Sequence, residues 1–181
     1  VEIAVAQDAA PFAMPVQWVN RPHMDFRGFA GAVVAGAVAP GDAVVVAKSG
    51  RPASVERIVT ADGEMARAIA GDAVTIVLDQ EIDIARGDVL VDPKARPEVA
   101  DQFAAHLFWM AEAPLYPGRP YILKLGTRSV NAQVTDIKHR IDVNTFDHLA
   151  AKELGLNEVG FCNVWLSEDI AFDPYEANPE T

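Results

Sequence analysis

The hydrophobic residues occur in short runs separated by turn sequences, a pattern typical of β-proteins. The runs at 43–47 and 74–78 carry apolar residues on both faces, as expected for strands that are covered twice. Turn sequences such as APGD, KSGR, ADGE, ARGD and YPGR punctuate the chain, and a spacing of about 8–12 residues between turns is typical of sandwiches and barrels. The pattern therefore predicts an all-β fold rather than a helical one.

The clearest period of two lies in the later part of the chain, and its phase changes midway. Apolar side chains occupy the even positions of 130–135, whereas Ile137 and His139 continue the same face at odd positions. Because successive side chains of a strand point to opposite faces, this change requires one additional residue. We expect a β-bulge near Thr135 and Asp136.

A proline-containing stretch without a hydrophobic pattern, DPKARPEV, separates two barrel-sized segments. It predicts a linker at 93–101 between a first barrel at 15–92 and a second barrel at 102–181. Residues 1–14 are rich in alanine and are interpreted as an entry segment without a fold of its own. The chain begins at Val1 rather than Met, so we expect it to be part of a longer protein.

Two segments depart from the strand pattern. Residues 148–155, HLAAKELG, contain helix formers and end at Gly155, so they predict one or two helical turns. Residues 97–114 fit a helix or a strand equally well on periodicity alone. The expected fold is thus mostly β, with little helix.

Composition and charge narrow the functional classes. Half of the 181 residues are hydrophobic, which allows a packed core, and no apolar run is long enough to span a bilayer. The net charge of −11 argues against a nucleic-acid partner, because affinity for a polyanion depends largely on Lys and Arg. The N-terminus lacks a secretion signal and Cys162 is the single cysteine, so we expect a cytoplasmic protein without a membrane partner.

The stretch DFRGFAGAVVAGAVAPGD contains closely spaced glycines and at first suggests a phosphate loop. Such a loop requires GxxxxGK[ST], and the chain contains no GK pair. The alternative is structural, because glycines allow a strand to bend and a second backbone to approach closely. We favour this interpretation, and the sequence assigns no cofactor-binding residue.

Candidate metal ligands and nucleophiles are few. The histidines stand far apart without a metal-ligand spacing: His23, His106, His139 and His148. Cys162 is best explained as a buried small hydrophobic residue. Asp79, Glu81 and Asp83 would share one face of an extended segment, as a solvated strand edge or as a cation site, and they lack the further ligands of a calcium loop. The sequence assigns no metal site and no catalytic residue.

The segment VNRPHMDFRG combines charged and aromatic residues ahead of a predicted strand. Arg21, Asp25 and Arg27 either tie this strand to its neighbours or contact another domain or subunit, because Arg and aromatic residues are favoured at interface centres. These three residues are the candidate interface.

The order of motifs is similar to that of translation-factor-type GTPases. RGFAGAVVAGAVAPGDAVVV, AGDAVTIVL and IARGDVLV resemble their second domain, and QFAAHLFWMAEAPLYPGRPYILKLG resembles their third. The longer phrases VNRPHMDFRGFAG, IVTADGE and LDQEIDIARGDVL resemble more specifically the GTPase subunit of bacterial ATP sulfurylase. The resemblance implies two small antiparallel β-barrels in tandem, a translation-protein-type barrel followed by an elongation-factor C-terminal-type barrel. It also implies that the last strand of the second barrel lies beyond Thr181.

The function of the family is implied by this resemblance alone. Its GTPase subunit couples GTP hydrolysis to the synthesis of adenosine 5′-phosphosulfate from ATP and sulfate, while a separate small subunit transfers the adenylyl group. The chain lacks the family's phosphate loop and guanine-reading N-K-x-D, so GTP and magnesium would bind an absent domain that residues 1–14 would follow as a linker. The chain is expected to be a non-catalytic scaffold that binds the small subunit and its own GTPase domain.

Two other functions fit the barrel pattern. One is a translation-factor-like accessory barrel that binds RNA, and the net charge speaks against it. The other is a free-standing barrel enzyme that holds a flavin or a similar cofactor, which an absorbance spectrum would reveal.

Overall fold

The computed structural model describes residues 10–23 and 26–173. These residues form fifteen β-strands and no helix, so they contain no helix that could cross a membrane. The strand pairs with a defined register are antiparallel. The predicted all-β class with antiparallel sheets is confirmed.

The described part of the chain divides into two compact units. Unit 1 contains the described residues of 10–99, 125–128 and 171–173, and unit 2 contains 100–124 and 129–170. Each unit is assembled from separate segments of the chain, whereas the sequence predicts one continuous span for each barrel. The domain boundaries predicted from the sequence, with a linker at 93–101, stay a prediction.

Unit 1 is built from the short strands of the N-terminal half. They are β1 (Ala13–Pro15), β2 (Trp18–Asn20), β3 (Gly28–Ala32), β4 (Ala37–Val38), β5 (Ala43–Val46), β6 (Pro52–Thr60), β7 (Gly63–Met65), β8 (Ala68–Ile69), β9 (Ala73–Leu78) and β10 (Val89–Val91). One sheet has the order β1-β10-β5-β6-β9-β3-β2, with β7 paired to β6, while β4 pairs with β8. A bridge between Ala13 and Ala35 joins β1 to the chain just after β3, so the sheet curls back on itself.

The core of unit 1 explains the two apolar runs, which form β5 and β9. Successive residues of β5 point into two different clusters of buried side chains. Val44 and Val46 pack in a cluster with Phe29, whereas Val45 packs with Val91 on the other side. β5 is therefore covered on both faces, as its sequence predicts.

Unit 2 is built on the long strands of the C-terminal half. They are β11 (Glu98–Phe108), β12 (Pro120–Leu125), β13 (Arg128–Ile141), β14 (His148–Leu149) and β15 (Val159–Phe172). Their sheet has the order β11-β15-β13-β12, and β14 pairs with β13. The buried cluster contains Leu115, Val134, Ile137, Leu154 and Cys162. The ambiguous segment at 97–114 is thus mainly strand, and the strand expected beyond Thr181 lies outside the described residues.

The predicted bulge in β13 is present, and a second one follows it. The register with β15 shifts around Thr135 and again after Ile137. As a result Ile137 pairs with the buried Cys162, whereas His139 pairs with Phe161 on the opposite face. The expectation that Ile137 and His139 share one face is wrong, because the second additional residue reverses the alternation.

The predicted helix at 148–155 is wrong. Residues 148–149 form β14, and the backbone of Leu154 exchanges hydrogen bonds of 2.8 and 3.1 Å with that of Leu115. The side chain of Leu154 is fully buried in the unit 2 core. These long-range contacts outweigh the helix propensity of the intervening residues, which is a weak local preference.

Candidate functional site

The glycine-rich stretch of unit 1 lies where two segments of backbone meet. A Cβ atom on Gly31 would overlap the carbonyl oxygen of Pro15 in β1, and one on Gly36 would overlap that of Ala10. Gly36 also has a φ of +65°, a conformation that favours glycine. Both positions fit the structural interpretation of this stretch.

Two of the candidate interface residues form ion pairs within unit 1. Arg21 Nη2 lies 3.4 Å from Glu81 Oε1, and both side chains are largely exposed. Arg27 Nη2 lies 4.0 Å from Asp83 Oδ1, and its guanidinium carbon lies 5.6 Å from the centroid of the Phe29 ring. Exposed ion pairs contribute only about 0–1 kcal/mol to stability. Arg21 could therefore exchange its partner for a group of another protein at little cost, whereas the Arg27 side chain is only 22% exposed and also packs over the Phe29 ring.

Phe26 adds an aromatic ring to the same segment and contacts a further arginine, Arg57. The guanidinium carbon of Arg57 lies 5.7 Å from the Phe26 ring centroid, and Arg57 Nη1 pairs with Glu64 over 3.5 Å. The His23 ring meets Phe26 edge-on at 6.0 Å. Asp25, the third candidate interface residue, lies outside the described residues. The segment thus combines arginine and aromatic groups, the chemistry that is favoured at interface centres.

A cleft of about 410 Å³ opens beside Phe26. Its polar lining consists of Gln17, Asn20, Thr60 and Thr75, and the rest is apolar, including residues of β3, β6 and β9. No Lys or Arg belongs to the described lining, so the cleft offers no cationic side chain to neutralise a phosphate. Its chemistry suits neutral polar groups.

The three carboxylates after β9 do not converge on one point. The chain is irregular here, and Asp79 Oδ1 accepts a hydrogen bond of 2.9 Å from the backbone of Ser54. Glu81 and Asp83 point outward, each towards an arginine, while Ile82 between them is buried. In the part of the chain that the structure describes, no three potential ligands are grouped to hold a metal ion. The segment is solvated, as expected, but it is not a strand.

Three histidines that are distant in the sequence meet on unit 2. The rings of His139 and His148 are stacked with centroids 3.8 Å apart, and Phe161 lies 5.6 Å from His139. Phe161 also lies 4.8 Å from His106, so the row crosses β11, β15, β13 and β14. Sequence reasoning missed this row because it depends on the strand order. Only the position of His139 and His148 on either side of a loop signals a possible pairing.

The surroundings of two unit 2 side chains, His139 and Glu158, lower their pKa values. Burial, and then the charges of His148 and His106, lower the pKa of His139. A backbone hydrogen bond from Gly155 lowers the pKa of Glu158, which also forms an ion pair with Arg140.

The cysteine of unit 2 behaves as a core residue. Cys162 is fully buried, and burial together with the charge of Asp136 raises the pKa of its thiol. A nucleophilic cysteine needs a lowered pKa and access to a substrate. The site matches the sequence interpretation of a buried small hydrophobic residue.

Residues 102–181 match the family described as GTP-eEF1A C-terminal domain-like. The bifunctional enzyme NodQ of Rhizobium sp. (strain N33) is 57% identical over 181 residues, which cover 100% of this chain and 28% of that protein. Sulfate adenylyltransferase subunit 1 of Aeromonas salmonicida (strain A449) is 50% identical over 165 residues, which cover 91% of this chain and 35% of that protein. The chain thus spans about a third or less of the length of these relatives.

Solved structures share the fold at low sequence identity. The structure of sup35 complexed with GMPPNP has a TM-score of 0.83 at 17% identity, and the match covers 96% of this chain and 43% of that one. The structure of sup35 complexed with GDP has a TM-score of 0.84 at 18% identity, with the same coverage. At this level of identity the comparison shows a common fold.

Proposed function

The chain is a homologue of part of sulfate adenylyltransferase subunit 1 with a translation-factor-like fold, and from this premise we propose that it is a two-barrel segment of the GTPase subunit of that enzyme. The observation that carries the proposal is the identity with subunit 1, which extends over nine-tenths of the chain. A barrel protein that shared only its fold with subunit 1 would not show such a high sequence identity. Sup35, which has the same fold, is only 17% identical to this chain.

The chain performs no chemistry of its own in this proposal. The whole subunit hydrolyses GTP with magnesium on a separate nucleotide domain and couples it to adenosine 5′-phosphosulfate synthesis in the cytoplasm. The chain itself contains neither GxxxxGK[ST] nor the guanine-reading N-K-x-D. Its role is to carry a nucleotide-dependent change of that domain into altered contacts with a partner.

The proposed partners are the small adenylyl-transferring subunit and the GTPase domain of the same polypeptide. The name of these relatives, sulfate adenylyltransferase subunit 1, implies at least one further subunit in their assembly. Arg21, Asp25 and Arg27 are the proposed contact residues, because Arg21 and Arg27 hold weak ion pairs and Arg27 also stands beside the Phe29 ring. Neither nucleic acid nor membrane is a proposed partner.

A mixing experiment tests this function. The purified chain is combined with the small subunit from the same organism and followed by sedimentation velocity, and we expect a faster-sedimenting complex. Equilibrium dialysis of the chain with GTP and with ATP should detect no binding. A chain that sediments separately from the small subunit at every concentration tested contradicts the proposal.

The fold shared with a translation factor supports one alternative, an accessory barrel that binds RNA. The net charge of −11 predicts that RNA binding is weak or absent even at low salt. A gel shift with structured RNA over a range of salt concentrations distinguishes the two functions. A salt-dependent shift without a small-subunit complex would favour the alternative.

A further inference from the structure

The hairpin between β13 and β14 carries a loop at residues 142–147, here called the Phe146 loop. Its apolar residues face solvent, since Val143 is 57% exposed and Phe146 is 76% exposed. Phe146 is the most exposed large hydrophobic residue of the described part of the chain. The ring therefore contributes little to the core of its own unit.

Hydrogen bonds close the Phe146 loop on itself. Asp142 Oδ1 accepts from the backbone N–H groups of Asn144 and Thr145, at 2.8 and 3.3 Å. The N–H of Phe146 donates to the Asp142 carbonyl over 2.7 Å, and the N–H of Asp142 donates to the Asp147 carbonyl over 3.0 Å. The backbone hydrogen bonds lower the pKa of Asp142, so its carboxylate holds the loop at neutral pH. The aromatic ring is thus presented from a preformed loop.

The backbone conformation at Phe146 is costly for a bulky residue. Phe146 has a φ of +61°, and Asn157 is the other non-glycine residue with positive φ among the described residues, at +64°. Asparagine tolerates this left-handed region, whereas an aromatic residue does not adopt it readily. Asparagine or glycine at position 146 would fit the backbone better, and the loss of packing would be small because the ring is exposed. Strained residues of this kind cluster at functional sites such as ligand clamps and switch regions.

We propose that the Phe146 loop is an anchor that inserts the Phe146 ring into an apolar pocket of the adenylyl-transferring subunit, an inference that rests on the proposed function. Aromatic side chains that fill a partner's pocket dominate many protein interfaces, and a preformed loop reduces the entropy that is lost on binding.

The negative charges around the Phe146 ring predict a positively charged rim for that pocket. The carboxylates of Asp142 and Asp147 flank Phe146 in the loop, and the whole chain carries a net charge of −11. Complementary potentials favour association and suppress wrong partners. The pocket on the small subunit should therefore be apolar at its base and lined by Lys or Arg at its edge.

The variant Phe146→Asn tests the anchor directly. Affinity of the full chain for the purified small subunit is measured by isothermal titration, and thermal melting is followed in parallel. We expect an affinity loss of about 30-fold or more, typical of a truncated interface anchor. The melting temperature should stay the same or rise, because asparagine relieves the backbone strain. Phe146→Tyr should retain most of the affinity.

Met110→Asn is the matched control, because Met110 is as exposed as Phe146, at 75%, and lies outside the loop. Its affinity should stay within about twofold of the unaltered chain, as for residues outside a hot spot. Equal binding by Phe146→Asn and the unaltered chain overturns the anchor and leaves the proposed function intact, whereas no binding by the unaltered chain overturns both. Two further results overturn the anchor: a large fall in melting temperature, or a homodimer that Phe146→Asn dissociates.

Discussion

The imidazole rings of His139 and His148 are stacked, with centroids 3.8 Å apart and planes inclined by 15°. The two residues come from paired strands, since the register joins Ile141 to His148 and Arg140 to Leu149. Phe161 and then His106 extend the row. Burial and the nearby histidine charges lower the pKa of His139 below its ordinary value of 6.5. The folded state therefore favours the neutral ring.

This arrangement predicts a loss of stability in acid. A base whose pKa is lowered by folding binds its proton more readily in the unfolded chain, so stability is present above about pH 6.5 and falls as the pH drops towards the folded pKa. We expect the melting temperature to decrease between about pH 8 and pH 5, and the variant His139→Gln to show a smaller decrease. Thermal melting followed by circular dichroism across this range measures both.

The matched control for the acid effect is His23→Gln, which removes an exposed histidine of unit 1 from its edge contact with Phe26. This variant should follow the pH dependence of the unaltered chain. If His139→Gln and His23→Gln have the same pH profile as the unaltered chain, the stacked pair does not set the acid sensitivity.

A methyl group at Gly31 should destabilise unit 1. The Cβ atom of Gly31→Ala would overlap the Pro15 carbonyl and lie 3.1 Å from Cγ of Met14, a fully buried residue. Neither the strand backbone nor the packed core yields easily, so we expect a loss of about 1–3 kcal/mol in the free energy of unfolding. Urea denaturation of the purified variant measures this loss.

Gly155→Ala is the control for this substitution. Its added methyl group would meet Glu158 Oε2 at 3.6 Å, an ordinary contact distance. The free energy of unfolding should change little. A Gly31→Ala variant that is as stable as Gly155→Ala would show that β1 can move away from β3.

The sequence predicted the first bulge of β13 but missed the second, and the reason is local. At Thr135 the apolar series changes from even to odd positions, which the letters alone reveal. After Ile137 the letters continue to alternate, so nothing in them signals a further insertion. The position of His139 beside Phe161 depends on pairing with β15, which is a long-range contact. A sequence pattern reveals such a long-range contact only where the contact changes which face of the strand carries the apolar residues.

The same limit explains the helix that was predicted at 148–155. Helix formers dominate this segment, but the backbone pairing of Leu154 with Leu115 and the pairing of β14 with β13 decide its conformation. For the candidate interface, the sequence identified residues of interest but not their contacts. Arg21 and Arg27 were singled out from composition alone, and their ion pairs with Glu81 and Asp83 could not be predicted, because the partners lie more than fifty residues away.

Replacing Arg27 should weaken assembly more than folding. Arg27→Ala removes a 4.0 Å ion pair with an exposed carboxylate and one ring contact, which together contribute about 0.5–2 kcal/mol. If Arg27 contacts the small subunit, its affinity should fall about tenfold or more, as for an arginine in an interface centre. Titration calorimetry and urea denaturation of the same preparation separate the two effects.

Arg67→Ala is the matched control, because Arg67 is an exposed arginine of the same unit. Its affinity and stability should both match the unaltered chain. If Arg27→Ala instead loses several degrees of melting temperature and binds normally, Arg27 is an internal tie of unit 1 and not part of the interface.

If this chain is a partner-binding segment of the sulfate adenylyltransferase GTPase subunit, it should compete with that subunit in the reconstituted enzyme. Increasing amounts of the chain are added to the complete two-subunit enzyme, and GTP-dependent formation of adenosine 5′-phosphosulfate is measured. The chain should occupy the small subunit without supplying a nucleotide domain, so synthesis should fall as its concentration rises. Synthesis that stays constant at a large excess of the chain over both subunits would contradict a partner-binding role.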